Sequence, residues 1–372
     1  MDRLTESQEE RLSELAQAIV APESGCVLVP PAQEAAGYWF GAGNCVRDPR
    51  DGSLLLLGRY RDAGDSRLGL AAGPRGRELA LFRSTDDGAT FAKIRAWGKA
   101  ELSGGSPVLS IEGSFLRLSG GRVEVLVSLE KDQPYPAGLR EYQKPGTGVW
   151  SIDRFVAPSV EALDPRGCLE PFLRGPGPAH LHVKDPSVTA GPQPGALLVL
   201  HCCHPYTWSS ASSGYVLLDE AGRRLTASPD FFPRGPVWDV AAARITCRLP
   251  VPRRGAFRDA PPVSLYFYDG AECLRPHEPH GAGVARPRGY SCEELGGVAY
   301  GLDACFPAVR RLSLLAPAFV SPHGTGCCRY ASVWSEPSGD LFATWQQSAA
   351  SGAQPLLGHW LSAADVDELL GA

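Results

Sequence analysis

Three acidic residues stand near the start of apolar, strand-like runs. Glu112 lies in Ile-Glu-Gly-Ser-Phe, Asp185 in Val-Lys-Asp-Pro-Ser-Val, and Asp239 follows Trp238. Carboxyl groups that share a desolvated pocket push each other's pKa values apart, so one stays protonated near neutral pH while another stays ionised. Cleavage of a glycosidic bond needs that pair of states: a proton for the leaving oxygen, and a base or nucleophile on the opposite side. Each of the three could instead cap a strand end or bind a neighbouring Arg.

Cations belong beside such acids. Arg329 opens a later run, Arg59 and Arg61 end a Leu-rich one, and Arg244 follows Asp239 on the same segment. A guanidinium suits a carboxylate or phosphate on a sugar, because its forked donors match two oxygens at once. The alternative is salt bridging to the acids themselves. Asn44, in Gly-Asn-Cys-Val-Arg-Asp-Pro, opens the first run. Asn44, Arg59, Arg329, His182 and His201 are the substrate-binding candidates.

Six of the eight histidines fall in three places: His180 with His182, His201 with His204, and His277 with His280. His201-Cys202-Cys203-His204 ends a strand, and alternate residues there face opposite sides, so the four cannot hold one ion. Zinc needs three or four converging ligands. No metal and no cofactor is expected. Lys144-Pro145-Gly146-Thr147-Gly148 lacks the ending of a phosphate-binding loop. Arg288 to Gly297, with Glu293-Glu294, reads as a solvated turn or as a mobile acid near a pocket mouth.

These residues are far apart in sequence, so something must gather them. Apolar runs Leu54 to Leu57, Val123 to Val127, Leu197 to Leu200 and Leu341 to Trp345 each follow a Gly-containing hairpin, and Ser264 to Tyr268 is a delayed fifth. Five strand–turn–strand units result, their openings spaced roughly 55 to 90 residues apart. In a propeller the innermost strand of every blade starts at the central channel, so equivalent positions converge there. Residues 1–20 predict one amphipathic helix, with Leu4, Leu12, Leu15, Ala16 and Ile19 on a helical period. Residues 21–372 are read as a single all-β, five-bladed propeller, with six blades as the alternative.

Composition narrows the partners. The chain has 42 Gly and 33 Pro spread along its length, which implies many turns and short strands. A formal net charge of −5 provides no basic field for nucleic acid. No run approaches the roughly 20 apolar residues of a membrane span. The N-terminus is polar and acidic, and the 11 Cys include no Cys-x-x-Cys pair. A reduced, cytoplasmic protein is expected, with a carbohydrate partner and neither nucleic acid nor membrane.

Two resemblances add to this. Ser84-Thr85-Asp86-Asp87-Gly88-Ala89-Thr90-Phe91 resembles the Asp box of sialidases, a tight hairpin on the blade periphery away from the chemistry. The Glu112 and Asp185 openings, with the strand-then-hairpin grammar after each, resemble the five-bladed glycoside hydrolases that include arabinanases, β-xylosidases and levansucrases. That resemblance implies a glycosidase in which Glu112 matches the acid and Asp185 one of two Asp positions. The chain departs from the pattern at Asn44, where that group carries its Asp base, while Asp48 precedes a hairpin and is expected to face solvent. The Glu-Gly motif also falls on the second unit instead of the third. Either Asp239 completes the set, or the mechanism is not the standard one. The expectation is a glycoside hydrolase-like enzyme. The alternatives are a non-catalytic glycan- or protein-binding propeller and an exo-sialidase-like enzyme.

Overall fold

A computed structural model describes residues 3–63, 73–272 and 294–372. Five four-stranded antiparallel sheets form five blades. Blade 1 holds β2 (Trp39–Arg47), β3 (Leu54–Arg61), β4 (Gly76–Ser84) and β5 (Ala92–Gly98). Blade 2 holds β6 (Val108–Ser119), β7 (Arg122–Lys131), β8 (Val149–Ala157) and β9 (Glu170–Leu173). Blade 3 holds β10 (His182–Ala190), β11 (Leu197–His204), β12 (Ser212–Leu218) and β13 (Arg224–Phe232). Blade 4 holds β14 (Ala242–Pro250), β15 (Val263–Ala271), β16 (Leu295–Leu302) and β17 (Arg310–Arg311). Blade 5 is β18 (Cys328–Ser335), β19 (Leu341–Gln347) and β20 (Leu356–Leu361), completed by β1 (Cys26–Val29) from the chain start. The fivefold expectation therefore holds and the sixfold alternative does not.

Each blade is buried on both faces, which explains the continuous apolar runs. In β3, Leu54 and Leu56 pack toward blade 5, while Leu55 and Leu57 pack toward blade 2. A strand covered on both sides has no need to alternate. The core is accordingly divided into layers between successive blades. The innermost strands β2, β6, β10, β14 and β18 neighbour one another around the axis.

Helix α1 (Glu6–Ile19) forms as predicted, and Thr5 and Gln8 close a reciprocal capping box at its start. Its Leu12, Leu15, Ala16 and Ile19 pack with blades 4 and 5 and with a second helix, α2 (Ala363–Leu370). That helix is absent from the sequence reading. Gly371, at φ 74°, ends it in the left-handed region that glycine tolerates. No helix among the described residues is long and apolar enough to cross a membrane.

Candidate functional site

Four of the five inner strands share one irregularity. Pairing with the second strand slips between Gly41 and Asn44, Ile111 and Ser114, Lys184 and Ser187, and Arg329 and Ser332. Such bulges re-aim side chains, and here they turn residues toward the axis. In β14 the slip lies between Ile245 and Cys247 and is one residue shorter. Ala42, Gly113, Asp185, Thr246 and Tyr330, one from each inner strand, line a narrow axial cavity. Ala42, Asp185 and Tyr330 all have left-handed backbones, at φ 59°, 57° and 54°. A non-glycine residue held there costs about 1–3 kcal/mol and persists only where its surroundings fix it.

Asp185 is the carboxylate of that lining. Its Oδ1 accepts from the Gly113 amide at 3.0 Å, and its Oδ2 accepts from Arg244 Nη1 at 2.8 Å. A Cβ at position 113 would lie 2.4 Å from Oδ1. Glycine after Glu112 is therefore required by the approach of Asp185 from the next blade.

Glu112 is adjacent but points away, into blade 1. Arg59 donates to its Oε2 from Nη2 at 2.7 Å, and Arg61 Nη1 donates to its Oε1 at 2.9 Å. Burial alone would raise its pKa, but Arg59, Lys184 and Arg61 together hold it well below the usual carboxylate range. Glu112 is thus kept ionised, the opposite of the state a general acid needs.

Arg244 is the hub. Besides Asp185 it donates to Asp269 Oδ2 from Nε at 3.1 Å and Nη2 at 2.6 Å, and to the Tyr330 hydroxyl from Nη1 at 2.8 Å. Its Nη2 lies 3.5 Å from Glu294, which also pairs with Arg329. Burial pushes Asp269 up to about 6 against the pull of Arg244. For Glu294 burial is outweighed by Arg329 and Arg244, which bring it down to about 2.

These opposite shifts give opposite pH dependences. Folded Asp269 takes up a proton before the unfolded chain does, so its contribution to stability falls as pH rises from about 4 to about 6. Glu294 contributes above its ordinary value of 4.5, and that contribution is lost as pH falls toward about 2. Replacing Asp269 with Asn should flatten the slope of Tm against pH between 4 and 6. Equal slopes in the two proteins would show that Asp269 does not titrate there.

The mouth of the channel lies at the start of the inner strands. Trp39, at the start of β2, carries the guanidinium groups of Arg61 and Arg329 4.5 Å and 4.4 Å from its ring. Across the mouth, Lys184 Nζ sits 4.3 Å from the Trp208 ring and 5.3 Å from that of Trp150. All three indoles are half-buried.

Asn44 does not reach the cavity. Its amide donates to the Leu116 carbonyl at 2.9 Å and accepts from the Leu116 amide at 2.7 Å, clipping β2 to β6. Ala42 holds the axial place in blade 1. Asp48, expected at the surface, is 1 % exposed and bonded to Arg50. Asp239 does not join Glu112 and Asp185. It is buried in the segment before β14, where it accepts from Arg311 Nε at 2.7 Å. It packs over Gly270, whereas the next residue back, Asp269, faces Tyr330 in blade 5. Successive strand residues face opposite sides, so Asp239 is on the wrong face of blade 4. Arg59 and Arg329 do reach the axis, but each is bonded to a carboxylate of the protein.

His182 lies at the mouth. Its Nδ1 accepts from the Trp150 amide at 3.2 Å, so Nε2 carries the proton facing the Tyr135 hydroxyl 3.1 Å away. Its ring stacks at 4.6 Å on His204, not on His201. Burial and then Lys184 bring His182 down to about 3. His201 is inside blade 3 and packs over Gly214, remote from the channel lining. No group of three or more metal-ligating side chains occurs among the described residues. His277, Glu278, His280 and Glu293 lie outside those residues. Glu294, read as part of a solvated turn or as a mobile acid at a pocket mouth, is buried at the axis. Sequence reasoning also missed Asp269, Lys184, Tyr330 and Trp39. Only Lys184 and Tyr330 carried a signal, since each adjoins an opening already singled out.

No protein-family model and no curated protein matches the chain. Solved structures do. One described as a glycoside hydrolase aligns over 96 % of both chains with a TM-score of 0.62 and 12 % identity. An α-L-arabinofuranosidase from Lactobacillus brevis aligns over 93 % of both, with a TM-score of 0.56 and 10 % identity. A β-1,2-mannobiose phosphorylase from Listeria innocua covers 92 % of this chain and 96 % of its own, with a TM-score of 0.52 and 11 % identity. The chain has the five-bladed propeller fold of these enzymes, with buried carboxylates clustered on its axis. At such identities the likeness concerns fold, and fold alone does not assign an activity.

Proposed function

We propose that this propeller processes glycosidic linkages at its axial mouth, with Asp185 as the reacting carboxylate. The observation that carries the reading is the placement of Asp185: a cavity-lining acid held in a strained left-handed backbone between two donors. Oriented in this way by an amide and a guanidinium, it suits a base, a nucleophile or a group that orients substrate. The half-buried indoles at the mouth suit the apolar face of a sugar ring. The glycosidases and the phosphorylase with this fold support a carbohydrate as the ligand. Glu112 serves to anchor Arg59 and Arg61 and is not the proton donor.

A second reading is a non-catalytic saccharide-binding propeller. It is favoured by Ala42 in the axial place of blade 1 and by the pairing of every axial carboxylate with Arg. The same pairing counts against a sialidase, whose Arg cluster must stay available to the substrate. We read the hairpin at Ser84–Phe91 as an architectural Asp box. Asp86 accepts there from the Ser84 hydroxyl at 2.7 Å and from the Thr90 amide at 2.9 Å, between the two outer strands of blade 1.

A panel of aryl furanosides, pyranosides and sialosides tests the proposal, run with and without inorganic phosphate as the acceptor. Turnover of a furanoside or pyranoside supports the enzyme. Binding without turnover of any member supports the second reading.

A further inference from the structure

Lys184 lends its charge to Glu112 and Glu294 without hydrogen-bonding either. Its side chain is 12 % exposed, yet among the described residues its ammonium has no hydrogen-bond acceptor. The nearest carboxylate oxygen, Asp185 Oδ2, is 3.8 Å away and already accepts from Arg244. The other acids of the axis are likewise engaged: Glu112 by Arg59 and Arg61, Asp269 by Arg244, and Glu294 by Arg329. An ammonium carries three donors, and Nζ, which is not shut off from solvent, gives none of them to a protein acceptor within hydrogen-bond distance. Trp208 and Trp150 attract the charge through their ring faces but accept no conventional hydrogen bond.

His204 and His182 stack on each other beside Lys184. The position is also at the entrance: β10 starts at His182, and the Trp208 segment follows directly from the end of β11. A ligand reaching Asp185 from this side passes Lys184 first.

We propose that Lys184, with Trp150 and Trp208, forms a subsite for an anionic group on or beside the saccharide, either a sugar carboxylate or a phosphate. The inference rests on the saccharide-site reading above and adds the chemical class of its ligand. The ammonium bonds the anionic oxygens, and the two indoles border the adjoining ring.

The test is calorimetric titration of the full chain with matched pairs: glucose and glucuronate, galactose and galacturonate, mannose and mannose 6-phosphate. Inorganic phosphate alone is titrated in parallel. The acidic member of at least one pair should bind about tenfold tighter or more, as expected for a hydrogen bond to a charged group. The preference should shrink with added salt, vanish in Lys184→Met and survive in Lys184→Arg. The charge-retaining variant separates a lost subsite from a lost fold, and circular dichroism of both variants checks the latter. Preference for uronates identifies a sugar carboxylate, and preference for the sugar phosphate or for phosphate itself identifies the other source. Equal binding within every pair would overturn the inference and leave the saccharide reading standing, as would a preference that persists in Lys184→Met. Absence of binding by any saccharide or by phosphate would overturn both.

Discussion

Asp185→Asn is expected to lower turnover of any glycoside that the wild type cleaves by about 10²- to 10⁴-fold, the range associated with a positioned acid–base group. The substitution keeps the size of the side chain and removes its charge. Arg244 retains Asp269 and Glu294 as partners, so the cost in stability should stay below the 3–5 kcal/mol typical of breaking a buried ion pair outright. Turnover and Tm measured on the same preparation separate these effects. Unchanged turnover in a folded variant would remove Asp185 from the chemistry.

Arg244→Met should have the largest effect on folding. One guanidinium bonds Asp185 and Asp269 and lies beside Glu294, all buried. Removing it leaves three carboxylates facing one another without their shared cation. A loss of about 3–5 kcal/mol is expected from urea unfolding, because an uncompensated buried charge costs far more than the pair contributed. The double variant Arg244→Met with Asp269→Leu should recover part of that loss, since it removes one of the stranded charges. A coupling energy within about 0.5 kcal/mol of zero would mean that the two residues act independently. A loss under about 1 kcal/mol for the single variant would mean that the cluster does not depend on Arg244.

The blades were legible in the sequence because their hairpins are written in glycine and their second strands in unbroken apolar runs. Leu54 to Leu57, Val123 to Val127 and Leu197 to Leu200 all fall in second strands, where burial on both faces demands such composition. Glu112 and Asp185 could be placed near the axis by counting back from those hairpins. The same count failed in blade 1, where the bulge turns Ala42 inward and leaves Asn44 to bond the neighbouring strand. In blade 4 the acid before the strand was mistaken for the strand's own axial residue, which is Thr246, with Arg244 two residues before it. Asp269, near the end of a second strand, was not legible, and Glu294, just before a third, was marked only as half of a Glu pair that could be a turn or a mobile acid. Nothing local ties either residue to the axis; their importance comes from Arg244, which no spacing rule would have linked to them.

A structure of the Asp185→Asn protein with a saccharide bound tests the account most directly. It predicts a sugar ring at the channel mouth, against Trp39 or Trp208, with a ring substituent within hydrogen-bond reach of position 185. A saccharide seated on the outer strands, with the axial mouth empty at saturating ligand, would contradict it.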